Sequence, residues 1–204
     1  MKNLRYIALA VIALITIDKA MAQDVDAKLT EAKSSYKSGN LDDSRFALQQ
    51  ALDAVDQAIG KEILAILPGK MGSMVADDKS DNVTGSSAGF GGIYVNREYN
   101  AGEDQPSSSV QLITDSPLLT GINAILAMPA MLAGSDPNQK RIKVDGYKAL
   151  MQRNEGDNGD VSYDVQIPFG NSLLTFHCDG VSNENDMVAM ANTIPVSKIA
   201  KMAQ

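Results

Sequence analysis

The stretch that decides the fold is Val161-Ser162-Tyr163-Asp164-Val165-Gln166-Ile167-Pro168-Phe169-Gly170-Asn171-Ser172-Leu173-Leu174-Thr175-Phe176-His177-Cys178. Val161, Tyr163, Val165 and Ile167 alternate with Ser162, Asp164 and Gln166, the period of a strand with one buried face. Gly170-Asn171 forms a tight turn, and Leu173–Cys178 returns as a second strand. Leu174, Phe176 and Cys178 then share an apolar face, while Thr175, His177 and Asp179 share a polar one. His177 and Cys178 are the only His and the only Cys, and their adjacency invites a nucleophile–base pairing. Strand geometry sends them to opposite faces, and a thiolate nucleophile would need a base on its own side. Cys178 therefore reads as a small core residue and His177 as a residue of the solvated face.

Outward from this hairpin the two-residue period continues. Asp157-Asn158-Gly159-Asp160 supplies an Asn-Gly turn back to a strand over Tyr147–Arg153. Arg141, Ile142, Lys143 and Val144 alternate charged and apolar before Gly146. Upstream, Val110 and Leu112 alternate with Ser109 and Gln111, and Ile93 and Val95 with Tyr94 and Asn96. Short turns between successive strands demand antiparallel neighbours. Asp115-Ser116-Pro117 signals a helix start, with Leu118, Ile122, Ile125 and Leu126 on one face and Pro129 at its end. Ser182 or Asn183 can cap a helix carrying Met187, Met190 and Ala191. Pro195 breaks it, and Val196, Ile199 and Met202 begin a last short one. Residues 90–204 thus read as an antiparallel sheet of five or six strands with helices packed on one face. The element order is similar to the PsbP-like α/β sandwich, a likeness of topology that no motif carries and that has no functional content.

Residues 23–68 behave differently. Val25, Leu29, Ala32 and Tyr36 recur at helical spacing, and Ser38-Gly39-Asn40 makes a turn with Asn40 as the next cap. Leu41, Phe46, Leu48, Leu52, Val55 and Ile59 follow on a second helix, which runs towards Pro68 with Gly60 as a weak point. Ala32, Tyr36, Gly39, Leu41, Ser44, Leu48, Ala51 and Leu52 keep the register A-x3-Y-x2-G-x-L-x2-S-x3-L-x2-A-L. Over residues 25–58 this resembles a single tetratricopeptide repeat. In that family small residues let the two helices approach and the glycine makes the turn. No second copy follows, and an isolated repeat cannot bury its apolar face without neighbours. Residues 69–89, rich in Gly, Ser and Asp, read as a linker or loop between the hairpin and the sheet domain.

The chain begins with a secretory signal pattern over residues 1–22. Lys2 and Arg5 form a positive segment, Ile7–Ile17 an apolar run, and Ala20-Met21-Ala22 a small-x-small cleavage site. The apolar run is about half the ~20 residues needed to span a bilayer. Cleavage removes Lys2, Arg5 and Lys19 together with Asp18, so 204 residues of net charge −7 become 182 of charge −9. The expectation is an exported protein, periplasmic or extracellular, with no transmembrane segment in the mature chain. The acidic balance argues against nucleic acid as a partner. A lone Cys rules out an internal disulfide, and the scarcity of His and Cys speaks against a zinc site.

No catalytic, cofactor or metal residue is assigned. Ser34-x-x-Lys37 and Ser80-Asp81-Asn82 match two serine β-lactamase motifs, but the third, K-T-G, is missing. Gly85, Gly89, Gly91 and Gly92 precede a strand rather than a helix, which excludes a dinucleotide loop. Glu155, Asp157, Asn158 and Asp160 cluster at a hairpin tip and read as a charged, solubilising turn. Residues 122–134 carry one polar side chain and are rich in Met, a residue of adaptable apolar surfaces. They either lie beneath the helical hairpin and complete the core or offer a contact site. Met128, Met131, Leu132, His177, Arg141 and Lys143 are therefore the partner-contact candidates. The leading expectation is a non-enzymatic protein acting by protein binding, to an unknown partner or to itself, in the bacterial cell envelope. The alternatives are a module for a small apolar or lipid-like ligand, and an enzyme with a dispersed carboxylate or metal site. Mass spectrometry of the protein recovered from its producing cells is expected to find Gln23 as the first residue; a retained Met1–Ala22 segment would overturn the export reading.

Overall fold

A computed structural model of the chain describes residues 24–86, 92–102, 105–128, 136–156 and 159–203. Helix α1 covers 24–37, and α2 runs unbroken over Leu41–Ile66. Gly39 takes a φ of 82°, a left-handed value open to glycine at little cost, and so turns the chain between them. The Asn40 side chain accepts from the Asp43 amide and caps α2. Among the described residues nine strands follow: β1 (Lys70–Met71), β2 (Met74–Ala76), β3 (Asn82–Thr84), β4 (Tyr94–Asn100), β5 (Ser107–Thr114), β6 (Gln139–Val144), β7 (Tyr147–Glu155), β8 (Val161–Phe169) and β9 (Ser172–Asp179). Helix α3 (Leu119–Ala127) lies between β5 and β6 in sequence, and α4 (Glu184–Ala191) and α5 (Val196–Met202) close the chain.

All nine strands join one antiparallel sheet in the order β1-β2-β4-β5-β9-β8-β7-β6, with β3 also on β4. The fold is α+β, a helical hairpin followed by an antiparallel sheet. Two expectations need correction. The sheet is larger than five or six strands, because 69–89 is not a plain linker: it supplies β1, β2 and β3. Both β2 and β3 run along the same edge of β4, β2 against Tyr99 and Asn100 and β3 against Tyr94–Asn96. These strands are two or three residues long, too short to show a period, and Gly, Ser and Asp between them masked the signal.

The second correction concerns the helices. The C-terminal half of α2, with α4 and α5, covers one face of the sheet. There Ile63, Leu64, Met187, Ile194 and Ile199 join Val95, Leu112, Val165, Leu174 and Phe176 in one core. Helix α3 packs on β7 and β8 from the opposite face. Arg141, on that face in register with Leu150, donates to the carbonyls of Met128 and Ile125 and so ties down the end of α3. The described part of 122–134 therefore does not lie beneath the hairpin.

Gly60 is not a weak point of α2 but its seat on the sheet. A Cβ built there would lie 2.4 Å from Val83 Cγ1 and 3.3 Å from Val95 Cγ2. The helix backbone presses onto β3 and β4 where no side chain intervenes. Close by, the Arg97 guanidinium donates from Nε to Asp81 Oδ1 at 2.9 Å and from a terminal nitrogen to Asp81 Oδ2. Its other terminal nitrogen donates to the Leu64 carbonyl at 3.1 Å. Replacing Gly60 by Ala is expected to destabilise the fold by about 1–2 kcal/mol in urea denaturation, the overpacking exceeding Ala's better helix propensity. Val83→Ala in the same chain should recover most of the loss; equal stability of Gly60→Ala and wild type would disprove the close seat.

Candidate functional site

Two surfaces hold the side chains that could act on something outside the chain. The first is the polar face of the sheet, the same face on which α3 packs. Strand register aligns its residues in cross-strand rows: Gln166, Thr175, Gln111 and Asn96 in one, and Asp164, His177, Ser109 and Glu98 in the next. His177 sits between two carboxylates. Its Nδ1 is 2.8 Å from Asp164 Oδ1 and its Nε2 is 3.0 Å from Asp179 Oδ2. Asn154 adds a donor to the other Asp164 oxygen at 2.9 Å.

The Asp164 hydrogen bond and the two negative charges push the His177 imidazole up to about 9. The same hydrogen bond holds the Asp164 carboxyl below its ordinary value. At neutral pH the ring is an imidazolium that donates from both nitrogens. An imidazolium so paired has no lone pair with which to accept a proton, so it links β8 and β9 electrostatically. Cys178 lies on the other face, wholly buried, and burial pushes its thiol up to about 11. The two adjacent residues are thus separated by the sheet itself. Among the described residues no group of three or more His, Cys, Asp or Glu side chains could hold a metal.

The other partner-contact candidates do not converge on His177. Arg141 is engaged by the α3 carbonyls. Lys143 is exposed, and its carbonyl accepts from the Asn192 side chain between β6 and the end of α4. Met128 is partly exposed at the end of α3, while Met131 and Leu132 lie outside the described residues.

The second surface was not singled out from the sequence, and it is apolar. The seam between α1 and α2 is made of small side chains: Ala32 from α1, and Ser44, Ala47, Ala51 and Ala54 from α2, all buried. Ser44 Oγ donates to the Ala32 carbonyl at 2.9 Å, so the helices meet almost backbone to backbone. The large apolar side chains of the hairpin are left outside. Leu29, Tyr36, Leu41, Phe46, Leu48, Leu52 and Val55 are all exposed, Tyr36 to 69% and Leu41 to 62%. Only Val75, Leu118 and Met128 are comparable among the other described residues.

These side chains are not scattered. Leu41, Leu48, Leu52, Val55, Ile59 and Ile63 form one helical stripe along α2. The sheet covers its lower end, where Ile59 packs against the core and Ile63 is buried. Its upper end, from Leu41 to Val55, is covered by nothing among the described residues. In two antiparallel helices the residues advanced about 90° from the seam share a side, which puts Leu29 and Tyr36 beside this stripe. Next to this stripe runs an open groove of about 1090 Å³ with a mixed polar and apolar lining, formed by Asp24, Lys28, Phe46, Gln50, Leu52 and Asp53 among others, so Leu52 borders both. A signal for the apolar side did exist in the sequence. Apolar spacing over residues 25–59 supplies more large side chains than a seam of Ala and Ser can bury.

His177 has a measurable consequence. Its pKa is raised above the unfolded value of about 6.5, so its contribution to stability is complete below that pH and is lost as pH rises through about 9. Asp164 is lowered, so its share is present above the usual carboxylate range and disappears only as pH falls below it. The gap in Tm between wild type and His177→Gln is expected to be widest between about pH 5 and 7 and to narrow towards pH 9 and above. In an NMR titration Asp164→Asn should lower the His177 midpoint by about one pH unit or more; an unmoved midpoint would remove Asp164 as the cause. No family model, no curated protein and no solved structure matches this chain.

Proposed function

We propose that this is an exported, non-enzymatic protein that acts by protein binding or assembly in the bacterial cell envelope, with the helical hairpin as its contact element. The observation that carries the reading is the bare stripe Leu41–Leu48–Leu52–Val55 flanked by Leu29 and Tyr36. Without Phe46, and with Leu52 although it too borders the groove, these six residues expose on the order of 600 Å² of surface, at the upper end of what a monomer usually leaves bare. Monomers bury such side chains, since each Leu is stabilised by roughly 1.5–3 kcal/mol when taken from water. A partner that covers the stripe gains that energy without any change inside the fold. The sheet domain then serves as the base from which α2 holds the hairpin out.

The stripe is also positioned for contact rather than for folding. Helix α2 is anchored below Ile59 by Gly60, Ile63 and the Leu64 carbonyl, so its upper turns carry no part of the main core. Disrupting the stripe should therefore separate binding from stability. Leu48→Asp with Leu52→Asp is expected to abolish capture of the binding partner in cross-linked envelope fractions while circular dichroism and Tm stay near wild type. Capture that survives both substitutions would refute the hairpin as the contact element.

A further inference from the structure

We infer that the occupant of the hairpin's apolar side is a second copy of this chain, laid antiparallel across it about a two-fold axis near Leu48. The inference rests on the proposed function and names its partner. The first argument is charge. Helical phase places Lys33, Lys37 and Arg45 along the rim of the apolar side near the Gly39 turn. It places Asp26 and Asp56 along the same rim at the end away from the turn, Asp56 also accepting from the Ser86 amide. By the same phase Asp42, one residue past Leu41, stands at the edge of this side as Lys37 does one residue past Tyr36, while Asp43 points away; three cations against one carboxylate leave the turn end net basic. The rim is therefore basic at one end and acidic at the other.

A second copy in parallel would set like charges together. In the antiparallel arrangement, Lys33, Lys37 and Arg45 of each copy lie over Asp26 and Asp56 of the other, which satisfies both ends at once. The apolar stripe has the matching symmetry. Leu48 lies midway between Leu41 and Val55, which are about 21 Å apart along the helix axis. A two-fold axis through Leu48 sets Leu41 of one copy against Val55 of the other.

The second argument is area. The roughly 600 Å² of exposed side chain, with the rim residues, approaches the ~800 Å² per partner of a standard stable interface. The result is a layer of four helices with Leu, Val and Tyr in its middle, while the small-residue seam of each hairpin stays as it is.

The test uses the protein expressed from its whole coding sequence and purified. Sedimentation should show a dimer, and Leu48→Asp with Leu52→Asp should weaken it about 100-fold or more with Tm unchanged. Single Leu41→Cys and Val55→Cys variants, mixed and oxidised, should give the mixed 41–55 disulfide in preference to either homodimer, whereas Leu48→Cys should link to itself. Cys178 is wholly buried and does not compete. Lys33→Glu with Lys37→Glu should weaken the dimer, and Asp26→Lys in the same chain should restore part of the loss. A protein that stays monomeric into the high micromolar range, a dimer indifferent to the Leu48 and Leu52 changes, or a dominant 41–41 disulfide would each overturn the inference. If the monomeric protein still captures a different envelope protein through Leu48 and Leu52, only the identity of the occupant fails; if it captures nothing through them, the proposed function fails as well.

Discussion

The guanidinium of Arg97 stands where three parts of the chain meet. It projects from β4, takes both oxygens of Asp81 from the loop between β2 and β3, and donates to the Leu64 carbonyl near the end of α2. A mostly buried cation must be paired, and a bidentate carboxylate with a carbonyl satisfies most of its donors. The geometry leaves little freedom. Once Asp81 is fixed, β2 and β3 are placed end to end along the same edge of β4. Once the Leu64 carbonyl is fixed, Gly60 is brought down onto Val83 and Val95. The direction of a 26-residue helix is then set over its last two turns and steadied one turn higher, where Asp56 accepts from the Ser86 amide.

This explains what could be read in advance and what could not. The strands from β4 to β9 announce themselves by alternation, above all β8 and β9, where nearly every second residue is apolar. Face assignment follows from the same alternation, so Cys178 and His177 were separable without coordinates. The short strands β1 to β3 were illegible because two or three residues show no period, and β2 and β3 are placed by pairing with β4, more than a dozen residues further on. The position of α3 was missed for a similar reason. Its apolar face is plain in Ile122, Ile125 and Leu126, but periodicity does not say which side of a sheet a helix covers. Arg141 decides that, through the carbonyls of Ile125 and Met128.

The two surfaces divide the chemistry of the chain. On the sheet, the charged His177 is held by the carboxylates of Asp164 and Asp179 on either side, and Asn154 completes Asp164. On the hairpin the pattern is reversed. Small residues occupy the inside and large apolar ones the outside, because a seam of Ala and Ser brings two backbones together and leaves no room for Leu. The feature that makes the hairpin compact is therefore the same feature that leaves it apolar.

The outer strands carry a further consequence. Lys140, Arg141 and Lys143 lie on β6, which has no second strand neighbour among the described residues, and the other end is broken into β1, β2 and β3, none longer than three residues. Charge on one margin and interruption on the other deny an incoming strand a continuous ladder, the means by which natural sheets resist edge-to-edge aggregation. The margins of the sheet thus offer little to backbone pairing, and the exposed apolar side chains lie on the helices instead.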